Sequence, residues 1–162
     1  MQEQLQGELA THGYDQYEVS AYAQKSKQCK HNLNYWLFGD YLGIGAGAHA
    51  KVTHSDGEIT RSWKIKHPNS YLSKTDKVGG KHTVAKQQRP FEFMMNALRL
   101  KQCFDIESFT SRCGMSQQEI QPLLDKHQSQ GLIEHNFNWI RPTSFGHNML
   151  NNMLEDYLSL GE

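Results

Sequence analysis

The sequence predicts an α+β fold, namely the C-terminal part of an incomplete β/α barrel followed by a small helical domain that is winged-helix-like. Helix-forming residues over 2–11 end at His12-Gly13, and the alternating residues of Tyr14–Ala23 then predict a strand. This helix-then-strand order suits the end of a barrel. Two helical patterns and a hairpin follow residue 105, which is the element order of a winged helix.

The middle of the chain predicts a hairpin and a connector. Asp56-Gly57 separates two alternating runs, Ala48–Thr53 and Ile59–Ile65, and Asp-Gly at such a position is a strong hairpin signal. Residues 67–89 are rich in lysine and lack an apolar period, so we expect a basic connecting arm with a short helical turn at Asn69–Leu72. The expected domains are residues 1–53 (the barrel end), 54–89 (the hairpin and basic connector) and 90–162 (the winged-helix-like domain).

Helix boundaries are clearest in the last third of the chain. Asp105 is expected to cap one helix, and a capping box of Ser116 and Glu119 to start the next, where Pro122 requires a kink or a late start. Thr143 begins a final helix. The side chains expected to face the core are those of Phe91, Met94, Met95, Leu98, Ile106, Phe109, Cys113, Ile120, Leu123, Leu124 and His127.

Charge is distributed unevenly, although the formal net charge is zero. Residues 1–50 carry a net charge of −2, residues 51–101 of +7 and residues 102–162 of −5. The basic middle attracts an anionic ligand or complements its own neighbours, and both interpretations stay open. The helix that would enter a DNA groove offers one lysine against two carboxylates, so we expect a packing module with no nucleic acid as a partner.

The stretch Cys29–Trp36 concentrates side chains that are costly to bury: a thiol, an imidazole, two amides, a phenol and an indole. On a helix, His31 and Tyr35 share one face, while Asn32 and Trp36 share the next. An imidazole beside an aromatic ring suits a planar ligand or a metal ion. From spacing alone, the simpler interpretation is a structural histidine at a polar helix start, with two aromatic residues in the core.

A glycine-rich run, Gly43-x-Gly45-x-Gly47, follows this stretch. It lacks the glycine spacing and the opening helix of a dinucleotide fingerprint. Bare glycines in a strand mark the close approach of another backbone or of a flat ligand, and both options stay open here.

Several blocks of the sequence resemble one family, the radical S-adenosylmethionine proteins similar to oxygen-independent coproporphyrinogen III oxidase, and in particular their HemW-type haem-chaperone branch. The blocks are Tyr17–Ala23, Cys29–Trp36, Asp40–His49, Phe91–Leu100 and Gly131–Leu154, so the resemblance covers nearly the whole chain. The block His31-Asn32-x-x-Tyr35-Trp36 is specific, because it distinguishes the chaperone branch from the true oxidases. Two departures are Ala21, where an asparagine is usual, and Ala50, where a serine is usual.

The resemblance implies that haem is the ligand and that His31 binds its iron. It implies that Asn32, Tyr35 and Trp36 belong to the same binding site, and that Ala23 lies near a backbone contact to S-adenosylmethionine. Cys29 is also close to the motif, and thiolates can ligate haem iron.

The basic middle of the chain offers partners for the propionates of a tetrapyrrole. Our hypothesis is that Arg61, Lys64 and Lys66 meet them. A solvated connector is the simpler interpretation of the same charges.

The radical chemistry of the resembled family requires a Cys-x3-Cys-x2-Cys run, which holds a 4Fe-4S cluster to which S-adenosylmethionine binds. Here the cysteines are Cys29, Cys103 and Cys113, and they do not form that run. We therefore expect the chain to be the C-terminal part of a longer protein and, alone, not to cleave S-adenosylmethionine.

Three functional classes follow. The parent carries haem to an acceptor haemoprotein, or it is a coproporphyrinogen III oxidase acting in porphyrin biosynthesis, or the C-terminal helices form a protein-interaction or DNA module. No apolar run approaches the ~20 residues of a membrane span. Three irregularly spaced cysteines favour the cytoplasm, and a strand edge at residues 14–23 leaves a homodimer open.

Overall fold

The computed structural model describes residues 2–161, and its mixture of helices and strands confirms the predicted class at that level. The helices are α1 (Gln2–Thr11), α2 (Lys30–Trp36), α3 (Pro68–Ser73), α4 (Arg89–Ala97), α5 (Ile106–Cys113), α6 (Gln121–Ser129), α7 (Ser144–Asn148) and α8 (Leu150–Leu158). The strands are β1 (Asp15–Glu18), β2 (Ala21–Ala23), β3 (His49–Thr53), β4 (Ile59–Lys64), β5 (Val78–Thr83), β6 (Phe104–Asp105), β7 (Ile133–His135) and β8 (Trp139–Pro142).

The strands form three small antiparallel sheets. Strands β1 and β2 pair with each other, β3, β4 and β5 lie in that order, and β8 lies between β6 and β7. The predicted hairpins 48–65 and 132–141 are therefore present. Among residues 2–161, no helix has the length and apolar character needed to cross a bilayer.

One hydrophobic cluster joins residues from all three predicted segments. Phe93 of α4 is at its centre, with ring centroids 5.8 Å from Phe38, 5.8 Å from Phe104 and 5.4 Å from Phe109. The contacts with Phe38 and Phe109 are edge-to-face, and such pairs add to the stabilisation from burial. The end of α2 is thus packed directly on the C-terminal helices.

The segment Tyr14–Ala23, predicted as one strand, is two strands joined by a turn, so that prediction was wrong. Glu18 is buried, and its carboxylate accepts hydrogen bonds from the backbone N–H of Ser20 at 2.9 Å and from Arg99 at 3.1 Å. A single alternating strand puts Tyr17 and Glu18 on opposite faces, whereas here both are buried. The carboxylate occupies the interior position because these donors satisfy it there.

The expected connector, residues 67–89, is more regular than predicted. It contains α3, which includes the predicted turn, and also β5, the third strand beside β4. Gly79-Gly80 has a packing role, since a Cβ at Gly80 would overlap the ring of Trp63. The run Gly43-x-Gly45-x-Gly47 lies in a loop. A Cβ at Gly43 would overlap the His49 carbonyl, so at this position the glycine allows another stretch of backbone to approach closely.

The inward face of α4 is rotated from the predicted one. Phe93 and Ala97 are fully buried, whereas Met95 is 36% exposed and Phe91 is only half-buried. The buried positions Pro90, Phe93, Met94 and Ala97 still follow the i, i+3, i+4, i+7 spacing. The helical period was therefore right and its phase was wrong.

Most of the predicted helix ends in the C-terminal third are confirmed. The capping box of Ser116 and Glu119 is present but opens a 3₁₀ turn, so α6 starts late, with Pro122 in its first turn. Asp105 occupies the N-cap of α5 without a side-chain capping bond. The predicted final helix is two helices, α7 and α8, because the chain leaves helical geometry at Met149.

The close packing of Trp63 on β5 gives a direct test. We expect Gly80→Ala to lower the free energy of unfolding by about 1–3 kcal/mol, because the added methyl group must displace a large ring. Gly7→Ala is the control, since Gly7 lies in α1 with open space around it and should gain up to about 1 kcal/mol. Equal changes in both variants in urea unfolding would contradict the assignment.

A buried histidine links α6 to α8. His127 is fully buried, and its Nε2 lies 2.8 Å from Oδ2 of Asp156, which also accepts a hydrogen bond from Lys126 at 2.7 Å. The hydrogen bond from Lys126 is the main cause that lowers the pKa of Asp156 below its usual range. Burial acts in the opposite direction, and the hydrogen bond with His127 lowers the pKa further. Asp156 thus stabilises the fold in its ionised form.

This arrangement predicts a pH dependence of stability. Because the pKa of Asp156 is lowered on folding, its contribution is present above about pH 4 and is lost as the pH falls through the folded value. We expect Asp156→Asn to cost about 1.5–3 kcal/mol at neutral pH and to show a shallower loss of stability between about pH 5 and 3 than the parent. Parallel acid-unfolding curves for the two proteins would contradict this.

Candidate functional site

The helix α2 carries the His-Asn-x-x-Tyr-Trp motif, and its C-terminal end is fixed by the backbone. Gly39 N–H donates to the Asn34 carbonyl at 2.7 Å and Phe38 N–H to the Tyr35 carbonyl at 2.9 Å, which is the Schellman arrangement. Phe38 has a left-handed φ of 59°, where glycine is usual. Its ring is buried in the core, and this packing compensates the unfavourable backbone.

Lys51 of β3 holds the chain that leaves α2. Its ammonium is buried and donates to the Phe38 carbonyl at 3.0 Å, to Asp40 Oδ1 at 2.8 Å and to Thr53 Oγ1 at 3.3 Å. Burial lowers the pKa of Lys51, and Asp40 opposes that shift. Burial alone would raise the pKa of Asp40, but the bonds from Lys51 and Thr53 hold it below its usual range. Each member of the pair thus favours the charged form of the other.

His31 lies in the first turn of α2 and is exposed, so it is not a residue sealed in the core. Its ring meets Tyr35 edge-on, with centroids 4.5 Å apart, and Tyr35 in turn lies 4.3 Å from Tyr41. Arg61 donates to the Tyr41 hydroxyl at 3.3 Å and forms an ion pair with Glu92 of α4. The imidazole is thus the exposed end of a chain of rings supported from β4 and α4.

The other two motif residues face a different set of partners. The guanidinium of Arg99 lies 4.5 Å above the ring of Trp36, and Asn32 donates to the Tyr17 hydroxyl at 3.3 Å. Arg99 also pairs with the buried Glu18. The indole nitrogen of Trp36 is buried, and none of the residues 2–161 offers it an acceptor. Trp36 and Asn32 therefore attach α2 to the N-terminal sheet.

The remaining predicted site residues are not brought together with the motif. Ala23 is buried at the end of β2, opposite Asp15. Among the lysines and arginine proposed for propionates, Arg61 already has Glu92 as its partner, Lys64 is half-buried and Lys66 is exposed. The structure also adds Tyr41 and Arg99 to the surroundings of the motif. Both residues lie within blocks that resemble the family, Tyr41 in Asp40–His49 and Arg99 in Phe91–Leu100, but no local pattern in the sequence pairs either of them with the motif.

The cysteines present do not fit an iron-sulfur cluster. Cys29 and Cys103 are exposed, whereas Cys113 is buried, and burial raises the pKa of its thiol to about 12. Such a thiol is not a thiolate at neutral pH and is a poor metal ligand. Within the described part of the chain, no group of three or more His, Cys, Asp or Glu side chains is arranged to hold a metal ion.

The buried ammonium of Lys51 predicts a large cost of its removal. We expect Lys51→Met to lower the free energy of unfolding by about 2–4 kcal/mol, because Asp40 and the Phe38 carbonyl lose their donor. Lys81→Met on β5 is the control, since Lys81 is exposed and its replacement should be nearly neutral. Chemical unfolding measures both, and a similar small effect in each would show that Lys51 does not anchor the loop.

Comparisons with known proteins agree with the resemblance found in the motifs. Residues 84–146 match the family model described as the HemN C-terminal domain. The heme chaperone HemW of Haemophilus influenzae is 45% identical over 151 residues, which cover 93% of this chain and 39% of that protein. HemW of Escherichia coli is 41% identical over 151 residues, covering 93% and 40%. The chain thus spans about two fifths of the length of these relatives.

The fold is also similar to a solved structure, coproporphyrinogen III oxidase (HemN) from Escherichia coli, described as a radical SAM enzyme. The TM-score is 0.63 at 12% sequence identity, over 96% of this chain and 39% of that one. This likeness concerns the fold alone. The resemblance to the HemW-type haem chaperones is confirmed: nearly the whole chain is similar to part of these proteins, and residues 84–146 match the HemN C-terminal domain model.

Proposed function

We propose that this chain is the C-terminal portion of a radical S-adenosylmethionine haem chaperone and that it binds haem through His31. The observation that carries the proposal is the exposed imidazole of His31, set beside Tyr35 in the first turn of a helix whose other end is fixed. Neutral imidazole is a common ligand of haem iron. An exposed ring can meet the iron without any rearrangement of the core.

The other motif residues support the ligand in different ways. Tyr35 lines the side of the site next to His31, whereas Asn32 and Trp36 keep α2 in place through Tyr17 and Arg99. S-adenosylmethionine and the 4Fe-4S cluster would be held by the rest of the parent, with Ala23 close to the former.

The proposed parent passes haem to an acceptor haemoprotein and works in the cytoplasm. In this proposal, residues 1–53 complete the parent's β/α barrel and residues 90–162 form a winged-helix-like domain. The order α4, β6, α5, α6, β7, β8, with β8 between β6 and β7, supports the second assignment. The free thiols of Cys29 and Cys103 are compatible with a reducing compartment.

A second candidate is the C-terminal portion of an oxygen-independent coproporphyrinogen III oxidase. The fold similarity to HemN favours it. The motif on α2 favours the chaperone, because haem contains an iron atom that His31 could bind, whereas the porphyrinogen substrate of an oxidase does not. Homodimerisation stays a prediction, and Leu100 and Lys101 cover part of the β1 edge on which it rests.

Titration of the purified chain with haem tests the proposal. We expect a shift of the Soret band that is lost in His31→Ala, because the iron then loses its nitrogen ligand. His12→Ala is the matched control: this histidine is also exposed but lies outside α2, and its replacement should leave the spectrum unchanged.

Cys29→Ala separates thiolate ligation from imidazole ligation, since Cys29 is exposed just before α2. The proposal predicts that this variant keeps the shifted band. A wild-type spectrum without a shift, or a shift that depends on Cys29 alone, would overturn the assignment of His31 and would move support to the oxidase.

A further inference from the structure

The exposed end of the central sheet carries an indole flanked by two imidazoles. Trp63 of β4 is 36% exposed and lies directly opposite His49 of β3, with ring centroids 6.4 Å apart and an interplanar angle of 30°. His82 of β5 lies on its other side, at 6.0 Å. Both histidines are exposed. We call these three residues the Trp63 platform.

Two glycines let the indole lie across the sheet. A Cβ at Gly79 or Gly80 would overlap the ring of Trp63, so β5 can pass beneath it only because these positions carry no side chain. A ring that lies across a strand presents its face outward, and an exposed aromatic face is suited to stacking with a planar π system.

The Trp63 platform is on the same side of the sheet as the support of the His31 cluster. Residues two apart on a strand share a face, so Arg61 and Trp63 project to the same side of β4. Arg61 holds the Tyr41 hydroxyl, and Tyr41 packs on Tyr35 beside His31. Arg61 therefore connects the rings of His31, Tyr35 and Tyr41 to the side of the sheet that carries the Trp63 platform.

The charge of the sheet selects the kind of planar ligand. Strands β3, β4 and β5 contain four cationic side chains and no acidic one; the four are Lys51, Arg61, Lys64 and Lys81. Lys51 and Arg61, on the same side of the sheet as Trp63, pair with carboxylates from other elements. Lys81 is exposed, but it lies between Gly80 and His82 on β5 and therefore projects from the opposite side. The side that carries the Trp63 platform thus has no unpaired lysine or arginine from β3 to β5, which suits contact with the uncharged ring of a planar ligand.

We propose that the Trp63 platform is the stacking surface for the porphyrin ring, with the face of the indole against the macrocycle and His49 and His82 at its edges. This inference deepens the proposed function and rests on it. It assigns the affinity for the organic ring to β4 and the bond to the iron to α2, so the two contributions can be separated by removing the metal.

Metal-free protoporphyrin IX is the probe, because it cannot form a bond from iron to His31. We expect Trp63→Ala to weaken its binding by about tenfold, as measured by porphyrin absorbance. Trp139→Ala, which removes an indole from β8 in the C-terminal sheet, should leave the affinity unchanged. His31→Ala should also leave it unchanged while removing the Soret shift of haem.

A second variant avoids any loss of folding. His82→Glu changes an exposed side chain and places a carboxylate beside the ring, so it should weaken protoporphyrin binding several-fold at low salt, and the effect should shrink at high salt. His12→Glu makes the same substitution in the turn that follows α1 and should have no effect. Far-UV circular dichroism verifies that each variant is folded.

The outcomes distinguish the two proposals. In one outcome, haem gives a Soret shift that depends on His31, but Trp63→Ala and His82→Glu bind protoporphyrin IX as the wild type does. The proposed stacking on the Trp63 platform is then wrong, and the proposed function stands. If protoporphyrin binding depends on Trp63 but no His31-dependent shift occurs, the iron-ligand assignment is wrong. A wild-type chain that does not bind protoporphyrin IX overturns the platform.

Discussion

The buried ammonium of Lys51 is the interaction on which the central part of this structure depends. A cation is costly to bury unless several acceptors surround it. Here a carbonyl, a carboxylate and a hydroxyl accept hydrogen bonds from it, and the centroid of the Phe38 ring lies 4.1 Å away. These acceptors come from the exit of α2 and from β3. The lysine therefore fixes where α2 ends, and through Phe38 it connects that end to the core around Phe93.

Fixing one end of α2 leaves its other end available. The first turn, with Cys29 and His31, is exposed, whereas the last turn is held by the Schellman bonds and by Arg112, which donates to the Leu37 carbonyl. A short helix of this kind is not stable by itself, because helix nucleation is unfavourable and few bonds follow it. Tertiary contacts at one end therefore position a side chain at the opposite end, which is how a surface histidine acquires a defined direction.

Local signals in the sequence predicted the local structure well, and long-range partners limited the rest. The capping box at Ser116 and the Asp56-Gly57 hairpin depend on residues a few positions apart, and both are present. The buried carboxylate of Glu18 has one local donor, Ser20, but its cationic partner Arg99 lies far along the chain, and no local pattern reveals that pair. The same applies to the ring of Trp63, which explains Gly79-Gly80 but becomes visible only once β4 and β5 are side by side.

The exposed position of His31, the proposed iron ligand, suits a protein that transfers haem better than one that stores it. A carrier must release its cargo, so its affinity has to come from contacts that an acceptor can replace one at a time. In the proposed arrangement, His31 would bind the iron and Trp63 would contact the ring, and both side chains lie at the surface, where groups of an acceptor could replace them. A cargo enclosed in the core would instead require the core around Phe93 to open, which the bonds of Lys51 oppose.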